Sequence, residues 1–126
     1  MRFIVIPVFS LIFLTCGGPE YIVPAKLASV ISEEKTVVID LRNEKKFADG
    51  HIQGAINAEY HEATFLRDIK MIDKDIRVIL YCGEGIKSDK AADVMRKEGF
   101  RKIMILQGGY NRWLGEGHKI DRKSVV

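Results

Sequence analysis

The residues best suited to covalent chemistry lie in the segment VILYCGEGIKS, residues 78–88, where a cysteine follows an apolar run. Cys82 is followed by Gly83, Gly85, Lys87 and Ser88. A cysteine thiolate is a nucleophile, and glycines let a backbone turn its N–H groups toward an anion. The segment predicts a nucleophilic cysteine in an anion-binding loop, although a buried, inert cysteine beside an ordinary turn has the same pattern.

The charges around this loop favour the thiolate. A helix is predicted directly after it, over KSDKAADVMRKEG, with its first residue near Lys87 or Ser88. The positive end of that helix and the Lys87 ammonium would both stabilise negative charge on Cys82. We therefore expect Cys82 to attack an anionic substrate.

The elements that must position the cysteine alternate along the chain. Apolar runs without polar alternation, typical of strands covered on both faces, are TVVID (36–40), RVILY (77–81) and KIMIL (102–106). Amphipathic helical candidates lie between them: AKLASVISEE, NEKKFADG, ATFLRDIKMI and KSDKAADVMRKEG. This order predicts an α/β domain with a central parallel sheet and places Cys82 at the carboxyl end of a strand, where ligands bind.

The helix after the cysteine has the clearest pattern. Gly99 suits a left-handed C-terminal cap, and Phe100 should contact Met95 across it. The apolar stripe of the helix comprises Ala91, Ala92, Val94 and Met95.

The first residues predict a signal peptide. One basic residue, Arg2, precedes an apolar run from Phe3 to Leu14, which is shorter than the about 20 residues that span a bilayer. Cys16 then stands where a bacterial lipoprotein signal has its lipid-accepting cysteine, although residues 13–15 depart from the usual pattern. We expect residues 1–16 to be the signal, residues 17–24 a tether, and the protein to be extracytoplasmic, with membrane anchoring through a lipidated Cys16. Secretion after cleavage of the peptide elsewhere is the first alternative, and an uncleaved anchor or a cytoplasmic protein is the second.

The length and composition predict one globular domain; we expect it to cover residues 22–120, with residues 121–126 as a C-terminal tail. The 126 residues are 47% hydrophobic and 29% charged, which argues against a disordered chain. The net charge of +3 is small and dispersed, so we expect no nucleic-acid partner. We also expect no metal site, because His51, His61 and His118 lack ligand spacing.

Three segments of the sequence resemble the single-domain rhodaneses, a family of sulfurtransferases. VVIDLRNEKKFADGHIQGAIN (37–57) is similar to the Asp-x-Arg strand end and the Gly-His-Ile-x-Gly-Ala-x-Asn signature of that family. VILYCGEGIKS (78–88) is similar to its active-site loop, and EGFRKIMILQGGYNRWLGEG (98–117) to its C-terminal Gly-Gly-aromatic-x-x-Trp signature. The resemblance implies a three-layer α/β domain whose central, mostly parallel five-stranded sheet is flanked by helices.

The resemblance also implies an activity. Cys82 would take sulfane sulfur from thiosulfate or a persulfide and pass it, as a cysteine persulfide, to a thiol or cyanide. The chemistry requires no cofactor. The substrate-binding loop would comprise Gly83, Glu84, Gly85, Ile86, Lys87 and Ser88.

Residues outside the loop would support it. Asp40 and Arg42 are expected to hold the active-site side of the fold through hydrogen bonds. His51 is expected to be structural, and Tyr110 and Trp113 to be core aromatics.

Three residues depart from the family pattern. Lys87 replaces the usual loop arginine and loses its bidentate fork. Glu84 would repel a dianion, so a persulfide is expected to be a better donor than thiosulfate. Lys46 stands where the family has glutamate and is expected to alter a surface ion pair rather than the chemistry.

Other functions remain open at the level of sequence. A related cysteine-dependent phosphatase would need one more loop residue and an arginine, whereas Gly83 to Ile86 separate Cys82 from a lysine. A non-catalytic binding or redox-sensing module of the same fold is the main alternative. A disulfide between Cys16 and Cys82 would consume the reactive thiol. The sequence leaves the oligomeric state open.

Overall fold

The computed structural model describes Arg2 and residues 19–33 and 35–123. The predicted signal peptide with Cys16, and the last residues of the predicted tail, lie outside this part of the chain. None of the helices in the described ranges is long and apolar enough to cross a bilayer.

The described residues form short strands and helices that alternate along the chain. The strands are β1 (Glu20–Ile22), β2 (Thr36–Asp40), β3 (His51–Ile52), β4 (Ile56–Asn57), β5 (Arg77–Tyr81), β6 (Lys102–Leu106) and β7 (Ile120–Asp121). The helices are α1 (Pro24–Val30), α2 (Glu44–Asp49), α3 (Phe65–Asp68), α4 (Ile86–Lys97) and α5 (Gly109–Gly115).

The central sheet has five strands in the order β1-β6-β5-β2-β4, and every neighbouring pair is parallel. Strands β3 and β7 form a separate antiparallel pair. The three predicted strands, β2, β5 and β6, have the predicted bounds. The α/β fold with a central parallel sheet is confirmed.

The sheet is covered on both faces, which explains its unbroken apolar runs. On one face, α3 and α4 pack against the sheet residues Ile39, Val78, Leu80 and Ile105. On the other face, α1 and α5 pack against Ile22, Val38, Ile79, Tyr81 and Leu106. The alternation of side chains along each strand thus creates two cores and three layers.

Helix α4 has the predicted apolar face and C-terminal cap. Gly99 has a φ of 98°, and the Phe100 N–H donates to the Met95 carbonyl at 3.2 Å. The helix begins at Ile86, one residue before the predicted range, because the turn of the loop is completed at Gly85, whose φ is 112°.

Two other helices are shorter than predicted. Helix α1 ends at Val30, and α3 covers only Phe65–Asp68 of the predicted range 63–72. After α3 the Ile72 N–H bonds to the Ile69 carbonyl, three residues back, and so leaves the α-helical pattern. Burial of Phe65 and Ile69 against the sheet therefore needs only one helical turn.

Candidate active site

The predicted nucleophile lies at the carboxyl end of β5, at the floor of a surface cleft. Cys82 is only 4% exposed, and the cleft above it has a volume of about 210 Å³. Because β5 is a central strand, the end of the strand holds the cysteine between α4 and the residues after β2. The cleft is lined by Arg42, Asn43, Lys46, Cys82, Gly83, Glu84, Ile86 and Lys87.

A larger cavity, of about 440 Å³, lies at the opposite end of the sheet, where β5 and β6 begin at Arg77 and Lys102. Its lining includes no cysteine. The nucleophile therefore belongs to the smaller cleft.

Two hydrogen-bond donors meet the sulfur of Cys82. The Gly85 N–H lies 3.0 Å from Sγ, and the hydroxyl of the fully buried Ser88 lies 3.3 Å from it. Both groups donate to sulfur and stabilise negative charge there, as does the first turn of α4. Of the two loop glycines only Gly85 has a positive φ; Gly83 does not, and a Cβ there would meet no atom within 4 Å.

The other side of the loop is fixed by α5. The Tyr110 N–H donates to the Cys82 carbonyl at 2.8 Å, and the Asn111 N–H donates to the Gly83 carbonyl at 3.3 Å. A Cβ on Gly109, whose φ is 61°, would lie 2.5 Å from the Gly83 oxygen. The Gly-Gly-aromatic motif thus holds the loop by backbone contacts, a role that the sequence analysis did not predict.

Asp40 and Arg42 form a buried ion pair behind the cleft. The Arg42 Nη2 and Nε donate to Asp40 at 2.7–3.1 Å, and Nη2 also donates to the Gly50 carbonyl at 2.6 Å. Burial opposes the guanidinium charge, but the hydrogen bonds and charge of Asp40 outweigh it and raise the pKa of Arg42. The predicted supporting hydrogen bonds are present, and Arg42 also lines the cleft.

Two tyrosines complete the environment of this pair. The Tyr81 hydroxyl donates to Asp40 Oδ2 at 2.6 Å, and burial together with the Asp40 charge strongly raises the pKa of Tyr81. Tyr81 therefore remains a protonated donor. The Arg42 guanidinium lies 3.9 Å from the centre of the Tyr110 ring, a cation–π contact that restricts its position.

The structure brings most of the predicted site residues together. Ile86 is 73% exposed in the first turn of α4, beside Glu84 and Lys87 at the rim of the cleft. The lining residues of the cleft include Cys82, Gly83, Glu84, Ile86 and Lys87, while Gly85 and Ser88 contact the sulfur. Cys16, the predicted lipid attachment site, lies outside the described residues.

Asn43, the cap of α2, and Lys46, in its first turn, also line the cleft, and neither was predicted there from the sequence. Asn43 caps α2 by accepting the Lys46 N–H at 2.9 Å. Lys46 was expected to alter a surface ion pair rather than the chemistry; none of the ion pairs within the described ranges involves it, and its side chain lines the cleft. Asn43 directly follows Arg42 and caps the helix whose first turn contains Lys46, so the position of both residues just after the Asp-x-Arg strand end could have signalled their place in the cleft.

The structural roles predicted for His51 and the aromatic residues are confirmed. His51 Nδ1 lies 2.7 Å from the Phe47 carbonyl, and its ring stacks on the Phe47 ring at 3.7 Å. Trp113 and Tyr110, both on α5, are 1% and 8% exposed and pack in the core that α5 forms with α1 and the sheet. None of these three rings lines the Cys82 cleft.

Known proteins are similar to this chain over most of its length. Curated relatives named tRNA uridine(34) hydroxylase, from Cronobacter sakazakii and Staphylococcus aureus, are each 31% identical over 94 residues, 71% of this chain. These alignments cover 27% and 30% of the relatives, so the chain spans less than a third of their length.

Solved structures have the same fold. A rhodanese-related protein from Thermoplasma volcanium has a TM-score of 0.69 and 25% identity, over 81% of this chain and 97% of the other. The Alr3790 protein from Anabaena has a TM-score of 0.75 and 21% identity, over 82% and 94%. The sequence model of the Rhodanese-like domain matches residues 23–116. The chain therefore belongs to the rhodanese-like domain family.

Proposed function

We propose that this protein is a sulfurtransferase that carries sulfane sulfur on Cys82. The Cys82 thiolate attacks the outer sulfur of a donor, and a new S–S bond forms to Sγ. The donor's own bond to that sulfur breaks, and the leaving group takes the bonding electrons, as sulfite from thiosulfate or as a thiolate from a persulfide. An acceptor thiolate or cyanide then attacks the outer sulfur, takes it, and restores the Cys82 thiolate.

The observation that carries this proposal is the pair of hydrogen bonds to Sγ from Gly85 and Ser88. Donors already aimed at the sulfur stabilise the thiolate before attack and after sulfur is removed. An inert core cysteine needs no such donors and would not lie under a cleft with three cationic side chains, Arg42, Lys46 and Lys87.

The donor proposed is a persulfide rather than thiosulfate. Glu84 lines the cleft together with the three cations, and its carboxylate opposes a dianion placed over Cys82. Lys87 cannot grip a sulfonate-like group as an arginine fork would. A persulfide brings less charge to the reacting end, so its kcat/KM should exceed that of thiosulfate.

The named activity of the curated relatives is not what we propose. Those proteins are named for hydroxylation of a tRNA uridine, and this chain corresponds to less than a third of each. The overlap supports the shared domain and does not by itself carry the activity of the whole relative over to this chain. A binding or redox-sensing module of the same fold is the alternative that the following experiment decides.

The test is mass spectrometry of the protein, intact and after digestion to peptides, following incubation with thiosulfate or with glutathione persulfide. We expect the mass of one added sulfur atom on the peptide that contains Cys82, and its loss on addition of cyanide with formation of thiocyanate. The Cys82→Ser variant, verified as folded by circular dichroism, should show no adduct.

Two outcomes would refute the proposal. If neither donor loads Cys82, the domain acts as a binding or sensing module. If the sulfur loads but neither cyanide nor a thiol removes it, the cysteine is a sensor rather than a carrier. An equal or greater kcat/KM for thiosulfate would refute the preference for a persulfide alone.

A further inference from the structure

A second cleft adjoins the Cys82 cleft on the side of α2 and α5. It has a volume of about 270 Å³, and it shares Arg42 and Lys46 with the first. Arg42 is held by Asp40 and Gly50, whereas Lys46 has an exposed side chain that borders both spaces. The second cleft is lined by Arg42, Lys46, Asp49, Gly50, Tyr110, Leu114, Ile120 and Arg122.

We propose that Lys46, Leu114, Ile120 and Arg122 form a subsite for the carboxylate-bearing tail of a low-molecular-weight organic thiol, whose persulfide end reacts at Cys82. This inference rests on the sulfur transfer proposed above and adds the class of molecule that carries the sulfur.

The sizes of the two spaces support an extended ligand. The Cys82 cleft, at about 210 Å³, is below the about 300–1,000 Å³ usual for sites that bind small organic molecules. It accommodates a reacting sulfur and its nearest atoms. With the adjoining cleft of about 270 Å³, the combined volume falls within that usual range.

The charges of the second cleft suit one carboxylate. Asp40 neutralises Arg42, which leaves Lys46 and Arg122 as the cations and Asp49 as the opposing acid. The Arg122 Nε donates to the Asp49 backbone carbonyl at 3.1 Å, so its terminal N–H groups are the ones that can grip a planar carboxylate. A tail without charge would form no ion pair with Lys46 or Arg122.

The remaining walls suit the methylene chain between a thiol and its carboxylate. Leu114 is 49% exposed, and Ile120 is partly buried against the core beside α5. Covering these apolar atoms with methylene groups removes them from water. The cleft on the other side of the cysteine contains Glu84 and Asp89 and no cation, so a carboxylate tail is repelled there.

The test compares donors that differ in their tails. Glutathione persulfide carries carboxylates, the persulfide of 2-mercaptoethanol carries none, and thiosulfate has no tail to occupy the second cleft. In Arg122→Gln we expect KM for glutathione persulfide to rise about threefold to tenfold, with KM for the other two donors unchanged. Arg101→Gln, on the opposite end of the sheet, is the matched control and should change no KM.

A binding measurement keeps the test independent of sulfur transfer. S-methylglutathione, which cannot react, should slow the alkylation of Cys82 by iodoacetamide, measured on the Cys82 peptide. Arg122→Gln should weaken this protection, and Arg101→Gln should not.

The two measurements show separately whether the sulfur-transfer proposal or the subsite proposal fails. If Cys82 never carries sulfur but S-methylglutathione protects it through Arg122, sulfur transfer is wrong and the subsite stands. If Cys82 carries sulfur but Arg122→Gln changes neither KM nor protection, the subsite is wrong. An equal rise in KM for all three donors would also overturn the subsite, because it would indicate a general effect on the loop.

Discussion

The two sides of the Cys82 loop differ in charge and in construction. One side, here called the basic flank, comprises Arg42, Lys46 and Lys87. The other side, here called the acidic flank, comprises Tyr21, Glu84, Ile86 and Asp89, which line a cleft of about 290 Å³. Glu84 and Ile86 lie at the boundary, because they line both clefts. Cys82 therefore lies between fields of opposite sign.

The flanks also differ in how their charges are held. Arg42 on the basic flank is fixed by buried hydrogen bonds to Asp40 and Gly50. On the acidic flank, Tyr21 donates to Asp89 at 2.9 Å in an exposed contact. Buried bonds fix geometry, whereas exposed charges contribute fields that salt screens. The basic flank should thus control both stability and donor binding, and the acidic flank only the balance of charge.

The largest effect is expected from Arg42→Gln. Removing the guanidinium leaves the Asp40 carboxylate buried without its cation, which should lower the free energy of unfolding by about 3 kcal/mol. Urea denaturation measures the change. Lys46→Gln, an exposed neighbour on the same flank, should change the free energy by less than about 0.5 kcal/mol. An equal loss in the free energy of unfolding for both variants would contradict the difference between a buried, hydrogen-bonded Arg42 and an exposed Lys46.

The second effect is expected from Lys46→Glu. The reversed charge opposes an anionic donor in the Cys82 cleft, so kcat/KM for thiosulfate and for glutathione persulfide should fall about tenfold at low salt. Added salt should reduce the difference from the unmodified protein, because the charge is exposed.

Lys45→Glu is the control for this charge reversal. Lys45 is an exposed neighbour on α2 that does not line the Cys82 cleft. If Lys45→Glu and Lys46→Glu lower kcat/KM alike, only the total charge of the protein matters and the basic flank has no local role.

Much of this site could be predicted from local patterns in the sequence. The apolar runs of β2, β5 and β6 have sharp ends, and the glycines and helix pattern after β5 place Cys82 correctly. Such features depend on neighbouring residues, so a single sequence carries them. The strand, loop and helix around Cys82 are such local features.

Other features depend on contacts between distant segments. Lys46 reaches the cleft because β2 and β5 are adjacent, which brings the start of α2 beside the cysteine loop. Gly109 is fixed by its approach to the Gly83 carbonyl. The length of α3 depends on which of its apolar residues pack against the sheet, here Phe65 and Ile69. The helical pattern of the sequence therefore predicted too long a helix. These pairings need the three-dimensional structure.

A third and smaller effect is expected from Glu84→Gln, at the boundary of the flanks. Loss of the carboxylate removes repulsion from the Cys82 cleft, so kcat/KM for thiosulfate should rise about threefold, and less for a persulfide. Stopped-flow measurement of sulfite release gives the thiosulfate rate. A fall in the thiosulfate rate would mean that Glu84 binds the donor or orients the loop instead of repelling the donor.

The smallest kinetic effect is expected from Asp89→Asn, which changes the acidic flank alone. The hydrogen bond from the Tyr21 hydroxyl to the Asp89 carboxylate, with the charge of that carboxylate, raises the pKa of Tyr21. Since the bond favours the protonated phenol, its weakening should lower the pKa of Tyr21 toward the ordinary value. An NMR titration of the tyrosine ring carbons measures this shift, and kcat/KM for either donor should change less than about twofold. A several-fold change in kcat/KM together with the shift would mean that the acidic flank takes part in sulfur transfer, and the division between the flanks would fail.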